Sequence, residues 1–160
     1  MGVTDLTDLH VCFVCSGNIC RSPMAAIVFR HHLRDAGLAD QVRVTSAGTG
    51  PWHVGETIDH RAGATLTTHG YRGKHVAAQI DGDHLGADLL LAADTGHLRT
   101  LRRKVGDPGR VRLLREFDPS AERDPEVPDP YYGGEDGFEE VIGMIERAMP
   151  GLLGWVRERL

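Results

Sequence analysis

A chain of 160 residues, 41% hydrophobic and 26% charged, is long enough for one hydrophobic core and lacks the bias of a disordered or collagenous protein. Its formal charge of −5 gives no basis for nucleic-acid binding despite the arginines of residues 99–115, and no apolar run approaches the ~20 residues of a membrane span. Its three cysteines crowd into residues 12–20 and make no disulfide framework, and residues 1–6 lack the basic and apolar regions of a secretory leader, so a reduced, cytoplasmic protein is expected.

Residues 9–14 are an apolar run and read as a first buried strand. A tight polar loop follows, then Met24, Ala25, Val28, Phe29 and Leu33 at helical spacing, with Gly37 placed to end the helix. Residues 42–46 alternate as a second strand and lead into a loop over residues 47–53. Asp59 is the expected N-cap of a helix that stops at Thr68 or His69, before Gly70. Residues 75–79 read as a short extended piece and residues 83–85 as a single turn. A third strand over residues 87–93 carries apolar residues on both faces, and a helix capped by Asp94 runs on to about Val105. Residues 110–114 give a fourth strand, and residues 115–134 a long polar loop. The last helix presents Phe138, Val141, Ile142, Ile145, Met149, Leu152, Val156 and Leu160 on one face, with a kink expected at Pro150. Strands alternating with helices imply an α/β fold with a four-stranded parallel sheet covered on both faces. Ligands in such sheets bind beyond the carboxyl ends of the strands, the edge at which Cys15 lies.

The loop after the first strand holds the chemistry. A short loop between a strand and a helix turns backbone N–H groups inward, and the helix adds the positive end of its dipole, which together make an anion cradle. Cys15 stands at its lip and Arg21 at its far edge, a setting that favours the nucleophilic thiolate. An anion site holding a thiolate points to attack on a phosphate ester. Cys12 and Cys15 also spell Cys-X-X-Cys, but Cys12 lies inside the apolar strand and no further ligands stand at zinc spacing, so Cys12 is read as a core residue and no metal is expected.

The segment Cys15-Ser16-Gly17-Asn18-Ile19-Cys20-Arg21-Ser22-Pro23 resembles the Cys-X5-Arg loop of the low-molecular-weight protein tyrosine phosphatases. Ser46-Ala47-Gly48, Trp52, His75, Gln79, Asp94 and Asp129-Pro130-Tyr131-Tyr132-Gly133 fall where that family's pattern puts them, and Trp52-His53-Val54-Gly55 is similar to its actinobacterial branch. The resemblance implies one flavodoxin-like, doubly wound domain over residues 1–160. It implies that Cys15 attacks phosphorus to give a phosphocysteine, with Ser16, Gly17, Asn18, Ile19, Cys20 and Arg21 around the phosphate and Ser22 donating to the thiolate. Asn18 is expected in an unusual backbone conformation held by Ser46 and His75. Asp129 is the expected general acid and base, and Trp52, Tyr131 and Tyr132 the walls that favour phosphotyrosine in proteins. Cys20 is expected to trap oxidised Cys15 as a disulfide. No cofactor, nucleic acid or membrane partner is implied, and a monomer with at most weak dimerisation is expected. Some relatives are exported without a leader, on which the sequence is silent.

Two rivals stand beside this reading. An arsenate reductase of the same fold would need two cysteines downstream of Cys20, and the chain has none there. A catalytically inactive phosphoprotein-binding module would need neither the thiol nor the acid. Three positions depart from the family's habit: Ala93 replaces a frequent Met, His97 a frequent Asn, and Ala78 a frequent cation. They are expected to leave the chemistry untouched, and Asp94 is expected to cap its helix without a catalytic part.

Overall fold

The computed structural model describes residues 9–121, 125–131 and 133–160; the reading of residues 1–6 and the placement of Tyr132 lie outside them. Strands β1 (Leu9–Cys15), β2 (Val42–Gly48), β3 (Leu89–Ala92) and β4 (Val111–Leu113) form one parallel sheet in the order β2-β1-β3-β4. They alternate with helices α1 (Arg21–Asp35), α2 (His60–Thr68), α3 (Gly82–Leu85) and α4 (Thr95–Lys104), and α5 (Glu135–Arg159) closes the chain. This is the expected doubly wound order. The chain leaves β1 toward β2 on one side and later returns to β3 on the other, which opens a crevice beyond the carboxyl end of β1.

Burial on both faces follows from the alternation along β1. Val11, Phe13 and Cys15 turn to one core, with Leu89 and Leu91 of β3 and apolar residues of α1, α2 and α5. Cys12 and Val14 turn to the other, with Leu90, Ala92, Val111 and Leu113 beneath Leu101 of α4. Phe13 meets Phe29 of α1 edge-on at 5.7 Å, and burying one such side chain stabilises the fold by about 1.5–3 kcal/mol.

Helix α1 is buried on every side through its first nine residues, because it lies between the sheet and α5. Pro23 falls in its first turn, where its missing N–H is no loss. Gly37 (φ +74°) ends the helix as expected: its N–H reaches Arg34 O at 3.1 Å, and the Leu38 N–H reaches Leu33 O at 2.8 Å. Asp59 caps α2 by accepting from Arg61 N and Ala62 N.

Several boundaries differ from expectation. Strand β2 continues to Gly48, so Ala47 and Gly48 pair with Val14 and Cys15 instead of starting a loop. Residues 75–79 are extended and meet that strand end, Gln79 bridging to Gly48. Strand β3 is confined to Leu89–Ala92 and β4 to Val111–Leu113. A 3₁₀ turn at Leu114–Phe117 opens the long loop, which is therefore not devoid of secondary structure. Helix α5 carries Pro150 in its interior, as expected, and beside it Gly151 approaches Phe117 O so closely that a Cβ would lie 2.3 Å away.

Candidate active site

The carbonyls of the loop between β1 and α1 are tied outward. Cys15 O accepts from Thr49 N at 2.9 Å, Ser16 O from Gly50 N at 3.2 Å, and Ile19 O from Asp59 N at 2.9 Å. Among the described residues, the N–H groups of residues 16–21 have no hydrogen-bond partner. A row of free N–H groups at a helix start is an anion site.

Asn18 holds this loop in shape. It is fully buried and left-handed at φ +59°, a conformation asparagine tolerates better than most residues. Its Nδ2 donates to Ser22 Oγ (2.8 Å) and Ser46 Oγ (3.0 Å), and its Oδ1 accepts from Ala78 N (2.9 Å). His75 Nε2 donates to its carbonyl at 2.6 Å. Burial, seconded by Arg30, favours the neutral ring and holds the His75 pKa below the ordinary histidine value, although that hydrogen bond pulls it upward. Ser22 Oγ also lies 2.9 Å from Cys15 Sγ. Because that hydroxyl already accepts from Asn18, its own proton is free to point at sulfur.

Arg21 is 5% exposed and meets two carboxylates. Nη1 donates to Asp94 Oδ2 at 3.1 Å and to Val127 O at 3.0 Å, while Nη2 lies 3.7 Å from Asp129 Oδ2. Asp94 does cap α4, its Oδ1 accepting from His97 N at 3.0 Å, but it is also the counter-ion of Arg21. Burial works to raise its pKa; the His97 N–H and ring and the Arg21 guanidinium outweigh that and hold its carboxyl below the usual range.

Cys15, Ser16, Gly17, Ile19, Cys20 and Arg21 form the floor of a cleft of about 470 Å³, and Trp52, His53, Asp129 and Tyr131 form its walls. Cys15 is 3% exposed, whereas Trp52 is 66% exposed and lies against Gly50, where a Cβ would meet its ring. Tyr131 N donates to Asp129 Oδ1 at 3.0 Å, which fixes one carboxylate oxygen and leaves Oδ2 on the side of Arg21. Cys12 and Cys20 are unpaired and buried, and burial pushes each thiol up to about 12. Among the described residues, no group of three or more His, Cys, Asp or Glu side chains is placed to hold a metal ion.

Four residues of the site escaped sequence reasoning. Val127 is buried in the long loop; its N–H bonds to Ala93 O and its carbonyl takes Arg21, which pins the loop to the end of β3. Glu126 accepts from Thr95 N and Oγ beside it. His53 lies over Gly17, where a Cβ would come within 2.7 Å of its ring. His97 corrects an expectation: its Nε2 is 2.8 Å from Ser16 Oγ, so this departure does reach the phosphate loop. Its Nδ1 is 3.1 Å from Asp94 Oδ1 but out of line for a hydrogen bond. Burial, opposed by Asp94, lowers its pKa below the ordinary histidine value.

Comparison with known proteins points the same way. Residues 10–160 match the family described as "Low molecular weight phosphotyrosine protein phosphatase". "Low molecular weight protein-tyrosine phosphatase A" of Mycobacterium tuberculosis is 57% identical over 153 residues, covering 95% of this chain and 94% of the relative. The "Low molecular weight protein-tyrosine-phosphatase" of Streptomyces coelicolor is 54% identical, covering 94% and 95%. Among solved structures, a protein tyrosine phosphatase from Entamoeba histolytica superposes with a TM-score of 0.89 at 30% identity, covering 94% of this chain and 98% of its own. With a sequence match across nearly its whole length and the cysteine loop at the carboxyl edge of the sheet, the chain belongs to the low molecular weight phosphotyrosine protein phosphatases.

Proposed function

We propose that the protein hydrolyses phosphotyrosine monoesters on proteins through a phosphocysteine on Cys15. The observation that carries this reading is the convergence of Cys15, Arg21 and Asp129 on one cleft. A phosphate seated on the free N–H groups of residues 16–21 and on the N–H groups of Arg21 turned away from Asp94 has its phosphorus beside Cys15 Sγ. The thiolate attacks in line, the P–O bond to the phenol breaks, and Asp129 gives its proton to the leaving oxygen. In the second step Asp129, now a carboxylate, takes a proton from water as the water attacks phosphorus, and the P–S bond breaks to release phosphate. Ser22 O–H stabilises the thiolate before the first step and after the second.

Depth sets the substrate class. The nucleophile lies at the floor while Trp52 and Tyr131 rise at the rim, so an aryl phosphate reaches sulfur where the short phosphoserine side chain does not. Cys20, in the same cleft, serves a protective role: a sulfenic acid on Cys15 condenses with the Cys20 thiol, forming a disulfide and releasing water. The protein works as a cytoplasmic monomer in this reading.

The test is hydrolysis of an aryl phosphate by wild type, Cys15→Ser and Asp129→Ala. Turnover should vanish in the serine variant, and kcat should fall about 10²–10⁴-fold in the alanine variant, the usual worth of a positioned acid. Undiminished activity in Cys15→Ser would overturn the mechanism, and equal rates on phosphotyrosine and phosphoserine peptides would overturn the depth argument.

A further inference from the structure

The loop that carries Asp129 is pinned at Val127 on one side of the acid. On the other side its partner is Arg61, on the first turn of α2. Nε and Nη2 of Arg61 grip the two oxygens of Asp59 at 3.2 and 3.0 Å. Nη2 also donates to Tyr131 O at 3.0 Å, and Nη1 lies 3.5 Å from Gly133 O. The guanidinium carbon also lies over two rings, 5.4 Å from the centroid of Tyr131 and 4.9 Å from that of the buried Phe138. Asp59, in turn, donates its backbone N–H to Ile19 O of the phosphate loop. A continuous path therefore joins the two halves of the site. It runs from the Ile19 carbonyl through Asp59 and Arg61 to Tyr131, whose N–H holds the Asp129 carboxylate.

We propose that Arg61 is a positioning residue for the general acid: it clamps the Asp129 loop to the phosphate loop, so that the carboxyl group meets the leaving oxygen of a phosphate seated in the cradle. An isolated ion pair at this exposure would contribute little. What distinguishes Arg61 is that its fork grips a carboxylate on one edge and main-chain carbonyls of the acid loop on the other, a planar arrangement that lysine cannot reproduce. These contacts engage all but one of its N–H groups, so a direct role in binding a substrate anion has little left to use.

The inference rests on Asp129 being the acid, and its test separates the two claims. An activated leaving group such as dinitrophenolate departs without a proton, whereas phenolate needs one. The measurement is kcat/KM, which reports phosphoryl transfer to Cys15, for phenyl phosphate and dinitrophenyl phosphate with wild type, Arg61→Ala, Arg61→Lys, Asp129→Ala and the Arg61→Ala/Asp129→Ala double variant. Both substrates are assayed on the same sample, so their ratio does not depend on how much of a variant is folded. For Arg61→Ala and Arg61→Lys the ratio of phenyl to dinitrophenyl phosphate should fall about 10-fold or more, a fraction of the full worth of an acid. The double variant should show the ratio of Asp129→Ala alone, because an acid that is absent cannot be mispositioned. An unchanged ratio in Arg61→Ala beside a collapsed one in Asp129→Ala overturns the role of Arg61 and spares the acid. A further fall in the double variant also overturns it. An unchanged ratio in Asp129→Ala overturns the acid assignment itself.

Discussion

Asn18→Ala is the substitution from which the structure predicts the largest loss for the fewest atoms. The side chain is fully buried and makes three hydrogen bonds, to Ser22, Ser46 and Ala78 N. At a net contribution of about 1 kcal/mol each they sum to roughly 3 kcal/mol. Alanine at φ +59° adds about 1–2 kcal/mol of left-handed strain. The expected loss is therefore about 4–5 kcal/mol, a large part of the 5–15 kcal/mol that holds a typical domain. Ser46→Ala removes one of the three bonds and strands one amide hydrogen, so about 1–2 kcal/mol is expected. Urea unfolding followed by far-ultraviolet circular dichroism gives both values. The double variant should lose little more than Asn18→Ala alone, since the two side chains share a bond. A loss below about 2 kcal/mol for Asn18→Ala, or equal losses for the two single variants, would refute the idea that this amide organises the loop.

Gly48→Ala should cost about 1–3 kcal/mol and most of the activity, because its Cβ would stand 2.6 Å from Ser16 O and 3.1 Å from Gly17 C, backbone atoms with nowhere to retreat; a wild-type melting temperature and rate would contradict the packing. Iodoacetamide at neutral pH should add one label, on Cys15, since burial holds Cys12 and Cys20 as thiols at about 12; mass spectrometry locates the label, and inorganic phosphate should slow it. Burial is the main cause holding His10, His75 and His97 below the ordinary histidine pKa. Between the unfolded value near ~6.5 and the lower folded values the unfolded chain binds more protons, so stability should fall as pH drops from 7 toward 5. Urea midpoints across that range should decline, less steeply in His97→Asn, and a flat series would oppose the assignment.

What the sequence made legible were features with a local cause. The Cys15 loop announced itself because a strand, a polar turn and a helix start are adjacent in the chain. Gly37 and Asp59 were readable as helix punctuation for the same reason, and both end or begin their helices as their chemistry requires. Contacts across the fold left no such mark. Val127 pins the acid loop through its main chain, and a valine between Glu126 and Pro128 carries no signal for that. His97 reaches Ser16 across 81 positions of sequence, and only the turn of α4 beside the end of β1 brings it there. Arg61 looked like an ordinary residue of the first helical turn, because its carbonyl partners are 70 residues or more away. Asp94 was half legible. Its position just before the start of α4 marked the cap, and its pairing with Arg21 required the sheet to set the ends of β1 and β3 side by side.

That pairing also bears on which of the two carboxylates near Arg21 suits the proposed acid role. Both oxygens of Asp94 are engaged: Oδ1 takes the His97 N–H and Oδ2 takes Arg21 Nη1. Protonating it would break a contact to a guanidinium that is almost fully buried, and an uncompensated buried charge is costly. The His97 N–H and ring, followed by the Arg21 guanidinium, hold its pKa below the usual range against burial, and Asp94 stands as the counter-ion of Arg21. Asp129 is bound differently. One oxygen accepts from Tyr131 N, and the other stands 3.7 Å from Arg21 Nη2, beyond hydrogen-bond length, on the wall of the cleft. Hydrogen bonding therefore separates the two carboxylates: Asp94, which holds Arg21, is saturated, whereas Asp129 Oδ2 stands in a looser 3.7 Å ion pair with the same arginine, an arrangement that suits the acid role proposed for it.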